Sequence, residues 1–200
     1  MHVSISPGNM KMGSVPSVSL PAHETCPSDA PCFGDCYGWK IMRLRKTVRD
    51  AYARNFAILQ NDPSTYWSDV ESVIKESRFF RFHVSGDIVD MRYLTKMIGI
   101  AERNPHCSIL CFTKKYNIVN TYLCSGKKLP ENLKIIFSVW RNYHCDNPFN
   151  LPEAHVAYRN GERTAREDAK FCNGNCFECA KESGGCWTLG NGEQVVFNQH

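Results

Sequence analysis

Hydrophobic positions along this chain change period several times, and each change marks an element. From Trp39 to Gln60 the residues Ile41, Leu44, Val48, Tyr52, Phe56 and Leu59 recur at steps of three and four, which predicts one amphipathic helix. Asp62 followed by Pro63 reads as an N-cap with proline at the first helical position, opening a second helix that carries Trp67, Val70 and Ile74. Phe79 to Val84 is an aromatic-rich strand ending at Ser85-Gly86-Asp87, and Met91, Leu94, Ile98 and Ala101 mark the helix after it. Ser108 to Thr113 predicts a strand, Tyr116 to Cys124 a helix, and Leu133 to Val139 a nearly continuous apolar strand of the kind covered on both faces. Weaker patterns give a strand within Val15 to Leu20 ended by Pro21, a strand over Ala154 to Tyr158, a short polar helix over Arg163 to Lys170 and a last strand over Gln194 to Phe197.

Strands alternating with helices predict an α/β fold with parallel strands, and of the two right-handed solutions the partial (βα) barrel is preferred to a doubly wound sheet. Three parts follow: an N-terminal arm over 1–14, the partial barrel over 15–170, and a Cys-rich C-terminal segment over 171–200 packed on it. Ligands of such sheets sit where the carboxyl ends of the strands meet their loops. Those ends are polar in this chain: Cys26 to Cys36, Ser85-Gly86-Asp87, Thr113-Lys114-Lys115, Ser138 with Trp140-Arg141, and Tyr158-Arg159.

Composition narrows the class. With 42% hydrophobic and 12% aromatic residues over 200 positions, the chain can close a real core, which excludes wholesale disorder. No apolar run approaches the ~18 residues needed to cross a bilayer, and Met1 to Pro16 has no basic region followed by an apolar core, so a soluble cytoplasmic protein with no membrane partner is expected. A net charge of +4 is too mild to decide about nucleic acid. The cysteine count changes the picture most. Eleven thiols are an odd set that cannot all pair internally, and with no export signal, metal or iron–sulfur ligation becomes the leading explanation.

Cys26, Cys32 and Cys36 form C-x5-C-x3-C just before the first long helix. Three thiolates on a [4Fe-4S] cube leave one iron open to substrate or cofactor, and on zinc they leave the fourth position open. The plainer alternatives are a structural zinc completed by His23 or an aspartate, and buried free thiols. Cys172, Cys176, Cys179 and Cys186 form C-x3-C-x2-C-x6-C in a loop with Gly174, Gly184 and Gly185, and four ligands suit a closed structural or electron-relaying site, either zinc or a second iron–sulfur cluster. Cys107, Cys111, Cys124 and Cys145 do not cluster and read as small hydrophobes. His83, His106, His144 and His155 lack ligand spacing.

Gly8-Asn9-Met10-Lys11, Ser19-Leu20-Pro21-Ala22, Thr25-Cys26-Pro27, Cys36-Tyr37, Ser85-Gly86-Asp87, Phe112-Thr113-Lys114, Cys186-Trp187 and Val196-Phe197 with His200 together resemble the bacteriophage family called gene product 88, over nearly the whole chain. That family looks like a reduced relative of the radical S-adenosylmethionine partial barrel. The resemblance implies a reactive cluster on Cys26, Cys32 and Cys36, with S-adenosylmethionine held at Ser85, Gly86 and Asp87. The first group departs from the usual C-x3-C-x2-C, a spacing that Cys172, Cys176 and Cys179 carry instead, so which group is the open one stays undecided.

Two functions compete. The first is an iron–sulfur enzyme of radical, Lewis-acid or sulfur-transfer type, in which Asp87 anchors an amine while Lys114 and Arg141 neutralise a carboxylate or phosphate, with an electron donor as partner if it is redox-active. The second is a nucleic-acid-binding or host-interacting protein with purely structural zinc sites. Its support is the helix with Lys40, Arg43, Arg45, Lys46, Arg49 and Arg54 against the single acid Asp50.

Overall fold

A computed structural model describes residues 1–199; His200 lies outside the described residues. In chain order the elements are β1 (Ile5–Ser6), β2 (Ser17–Val18), α1 (Ala22–Thr25), α2 (Tyr37–Leu44), α3 (Lys46–Asn61), α4 (Pro63–Lys75), β3 (Phe79–Phe82), α5 (Met91–Arg103), β4 (Ser108–Thr113), α6 (Tyr116–Cys124), β5 (Leu133–Ser138), β6 (Glu153–Ala157), β7 (Lys170–Phe171), α7 (Cys176–Ser183), a 3-10 turn over Gly185–Thr188, and β8 (Gln194–Asn198). The strands form one open sheet in the order β1-β2-β3-β4-β5-β6-β8-β7, and every pairing except β1 with β2 is parallel. The fold is therefore mixed α/β, as the alternating pattern predicts.

The sheet buries both faces, which is why β4 and β5 read as continuous apolar runs. On one face Phe80, Phe82, Ile109, Cys111, Ile135 and Phe137 meet the helices, with Tyr66, Val70, Leu94 and Met97 opposite them. On the other, Leu110, Ile136, Ala154 and Val195 pack against Met12, Val15, Ala180 and Trp187. The N-terminal segment and the Cys-rich segment thus cover the second face together. Met12 is 1% exposed, and the Trp187 indole N–H reaches the carbonyl of Phe80 at 3.4 Å.

Local chemistry sets several boundaries. Asp62 caps α4 by accepting the N–H of Thr65 at 3.1 Å, with Pro63 at the first helical position. The single helix expected over Trp39 to Gln60 is corrected to two, because Arg45 is extended (φ −123°, ψ 100°). The three-and-four spacing continues across that break, so periodicity could not register it, and Leu44, expected on the buried stripe, is 76% exposed. The polar helix expected over Arg163 to Lys170 is absent. With no apolar stripe to bury, that stretch ties its backbone to neighbours instead, Arg166 N–H to Gln194 Oε1 at 2.8 Å and Ala157 bridging Arg163. The cysteine segment, expected as a loop, contains α7, capped by the Asn175 side chain on Glu178 N–H and stopped by left-handed Gly184. Among the described residues no helix is long and apolar enough to cross a membrane.

Candidate functional site

At the carboxyl ends of the strands lies a cavity of about 350 Å³. The thiols of Cys26, Cys32 and Cys36 line it, delivered by the loop that joins α1 to α2. Ser85, Gly86 and Asp87 after β3, Lys114 after β4 and Trp140 after β5 line it as well. Strand ends that are scattered in sequence are thus drawn to one place, as the parallel architecture requires. A shallower hollow of about 430 Å³ between the N-terminal segment and the start of β3 contains no cysteine.

Asp87 is 2% exposed and organises this end of the sheet. Its Oδ1 accepts the Thr113 hydroxyl at 2.6 Å and the Ile88 N–H at 2.7 Å, while Oδ2 accepts the Lys114 N–H at 2.9 Å. A carboxylate offers about four lone-pair sites, and three are filled from within the protein. Burial pushes the Asp87 carboxyl above its usual range, with Lys114 and these donors pulling the other way. The loop geometry depends on Gly86 (φ +87°), where a Cβ would fall 2.8 Å from the Leu20 carbonyl oxygen and 2.9 Å from Thr25 Oγ1.

Burial, with Asp87 nearby, pushes the Cys26 thiol up to about 12, and burial raises Cys32 despite an opposing Lys114. Burial alone would lower Lys114, but its value is raised by Cys32, Asp87, Cys26 and Cys36, the cysteines counting only where they are ionised. The Cys26 and Cys32 thiols are therefore protonated on their own at neutral pH, and only a cation that displaces those protons would make them thiolates. Among the described residues no group of three or more His, Cys, Asp or Glu side chains already stands at metal-binding geometry. The donor chemistry does suit a soft metal centre: three cysteines line one cavity that Lys114 lines too.

In the second cysteine group, Cys172, Cys176 and Cys186 pack against the core cluster around Trp187, with Arg81 beside Cys176 and Cys186 and Lys11 beside Cys176. Cys186 is raised to about 12 by burial and then by Cys172 and Cys176, and Cys176 is raised by burial. Left-handed Gly185 makes room for Cys179, since a Cβ there would fall 2.9 Å from Cys179 Sγ. Cys107 and Cys111 are fully buried, as expected of small hydrophobes, whereas Cys124 is exposed.

Arg141 does not line the cavity. Its guanidinium pairs with Glu162 and lies 4.9 Å from the Tyr158 ring centre. The basic stretch on α2 and α3 is partly neutralised, Lys40 by Asp35, Lys46 and Arg49 by Asp50. His83 belongs to the core: its Nε2 meets Tyr93 Oη at 3.0 Å, and burial, then Arg81, push its value down to about 3, so it is neutral. Its backbone is left-handed (φ +63°), which is uncommon for a non-glycine residue, and it turns the chain out of β3 toward Ser85.

Among the cavity residues that the sequence reading assigned to no site are Lys11, Arg81, Phe112 and Phe197, with His83 and His155 lining it as well. The signal for one was present. Arg81 stands inside the otherwise aromatic strand Phe79-Phe80-Arg81-Phe82, and a charge there needs a reason.

A family model described as Gene product 88 matches residues 5–171. The chain is also similar to the "Gene 88 protein" of Mycobacterium phage L5, 25% identical over 181 residues that cover 84% of this chain and 72% of that protein. No solved structure matches significantly.

Proposed function

Because the chain belongs to the Gene product 88 family, whose name specifies no reaction, we propose from the cavity itself that it is an iron–sulfur enzyme. Cys26, Cys32 and Cys36 hold a [4Fe-4S] cluster with one iron open to substrate or cofactor. The observation that carries this reading is the meeting of three cysteines from one loop in a cavity at the carboxyl ends of parallel strands, with Lys114 among them. The open sheet is read as a partial barrel related to the radical S-adenosylmethionine enzymes. Cys172, Cys176, Cys179 and Cys186 hold a second centre, zinc or iron–sulfur, that fastens the C-terminal segment to the sheet.

A cluster held by Cys26, Cys32 and Cys36 would supply Lewis acidity or, with S-adenosylmethionine and an electron donor, one-electron chemistry. The chain's own residues do the remaining work. Lys114 compensates the thiolate charge that accumulates once the protons leave. Asp87 fixes the Lys114 backbone and the Ser85-Gly86 turn against the cavity, so its task is positioning, with at most one lone-pair direction left for a ligand amine. Trp140 and Phe112 supply aromatic walls to the space between. A host cytoplasm, where thiols stay reduced, suits this chemistry.

The exposed pair Arg43 and Arg45, beside exposed Leu44, favours nucleic acid as the partner in the second reading, with zinc at both cysteine groups. Anaerobic purification separates the two. Iron and sulfide in near-equal amounts with a broad absorbance near ~400 nm is the expected result. Colourless protein containing zinc alone overturns the iron–sulfur enzyme.

A further inference from the structure

One wall of the cavity, which adjoins Cys176 and Cys186 through Lys11 and Arg81, has a different character. Arg81 lies 4.7 Å from the Phe112 ring centre, Phe112 meets Phe197 edge-on with centroids 5.6 Å apart, and Lys11 Nζ lies 5.1 Å from the Phe197 ring centre. Cation, ring, ring and cation follow one another along the wall, and all four residues line the cavity. Lys114 is occupied by the thiols and Asp87, but among the described residues neither Lys11 nor Arg81 has a carboxylate partner.

Hydrogen-bonding capacity is also left over there. Arg81 donates through Nη1 to Met12 Sδ at 3.3 Å, and its Nε has no partner. Trp140 Nε1 and Ser85 Oγ are likewise buried without partners, so three of the four such atoms among the described residues belong to residues of this one cavity. Buried donors are normally satisfied, and each orphan asks for an acceptor. The lone acid of the interior, Asp87, already has its donors, so the interior carries an excess of positive charge.

The geometry points to an anion subsite on this wall: Arg81 and Lys11 take the carboxylate or phosphate of a small planar molecule whose ring lies against Phe112, Phe197 and Trp140. A volume of about 350 Å³ admits one ligand of nucleotide size. This deepens the enzyme reading by giving its substrate a class, anionic and planar, and it rests on the same cavity without depending on which metal the cysteines hold. Cation–π contacts orient the two side chains before the ligand arrives, which reduces the ordering cost of binding.

Titration of the purified protein with adenosine monophosphate against adenosine, and with benzoate against benzamide, followed by saturation-transfer NMR, tests the subsite and distinguishes phosphate from carboxylate. At least one anion should bind ~ten-fold or more tightly than its neutral counterpart. Arg81→Gln, and separately Lys11→Gln, should shrink that margin while the neutral compound binds as before. Lys11 is only partly buried, so its variant keeps the test meaningful if Arg81→Gln fails to fold. No margin in the wild type, or a margin that survives Lys11→Gln and a folded Arg81→Gln, overturns the proposal. So does an unchanged margin accompanied by metal loss in Arg81→Gln, since Arg81 would then serve Cys176 and Cys186 alone. Iron and sulfide measured on the same samples report on the cluster separately: a margin without iron retains the subsite and removes the cluster, and iron without a margin does the reverse.

Discussion

Thr25 Oγ1 accepts the backbone N–H of Asp87 at 3.1 Å while donating its own proton to the Pro21 carbonyl at 2.9 Å. The residue just before the first cysteine therefore holds the loop after β3. Thr25→Val keeps the shape and removes the acceptor, leaving a buried N–H unpaired at a cost of about 1–3 kcal/mol. Urea unfolding should show that loss, and Thr25→Ser should recover most of it; equal stability of the Val variant would show that the two loops are held by other contacts.

Gly86→Ala should be more damaging than Gly38→Ala. At Gly86 the new methyl meets the Leu20 carbonyl and Thr25 in a left-handed backbone, costing at least about 2 kcal/mol. At Gly38 it meets Ser85 Oγ at 2.5 Å, a side-chain end that can rotate, and alanine returns about 1 kcal/mol of helix propensity. Thermal denaturation of the two variants side by side checks the order.

Asp87→Asn should act first on the fold. The amide NH2 of asparagine would face donors at one of the two carboxylate positions, Thr113 O–H and Ile88 N–H or Lys114 N–H, so a loss of about 1–3 kcal/mol is expected. A variant as stable as the wild type that fails only in ligand binding would return Asp87 to the role of amine anchor.

Much of this was legible in the chain. Ser108 to Thr113 and Tyr116 to Cys124 emerge at the expected limits because each is bounded by local chemistry and pays for its burial with a continuous apolar pattern. The rule that ligands gather at strand carboxyl ends placed Cys26, Ser85-Gly86-Asp87 and Lys114 together without any contact being known. The Arg45 break was not legible, since one extended residue leaves the apolar spacing intact. Phe112 and Phe197 were not legible as cavity walls either, because alternate faces of a doubly covered strand carry the same residue types. Arg141 misled for the converse reason: a basic residue at a strand end looks like a ligand contact until Glu162 is seen beside it.

Single Cys26→Ala, Cys32→Ala or Cys36→Ala substitutions should abolish an air-sensitive chromophore and leave a folded protein, because this loop contributes little to either core. Cys186→Ser should instead lower stability, since Cys186 packs against the core cluster around Trp187 and its site, if metal-bound, contributes folding energy. Metal analysis beside circular dichroism tests both, and a stable Cys186→Ser with full metal content would contradict the second half.

Acid should weaken the β6 region. Hydrogen bonding from His155, then from Asn147 and Gln194, holds Glu153 at about 2 against an ordinary 4.5. A lowered folded-state value means the stabilisation is fully present above about pH 4.5 and is lost as pH falls toward 2. With solvent screening of this partly exposed group, about 1–2 kcal/mol is at stake. Urea midpoints from pH 6 down to about 2.5 should decline for the wild type and less steeply for Glu153→Gln; parallel curves would assign the acid sensitivity elsewhere.

After Ala157 the chain crosses over, places Lys170–Phe171 at the edge of the sheet as β7, and comes back at Gln194 to run parallel to the strand it left, Glu153 with Gln194 through Ala157 with Asn198. Residues 158–193 are thus a long crossover between two parallel neighbours; the crossover carries all four late cysteines, while the strands it joins carry His155, Val156 and Phe197 of the cavity wall. Closure entropy rises only slowly with length, so added residues in its exposed stretches should be tolerated. A centre that ties the four cysteines together would shorten this crossover and so limit how far its two strands can part. The late cysteines would thus brace one wall of the cavity that the early cysteines line.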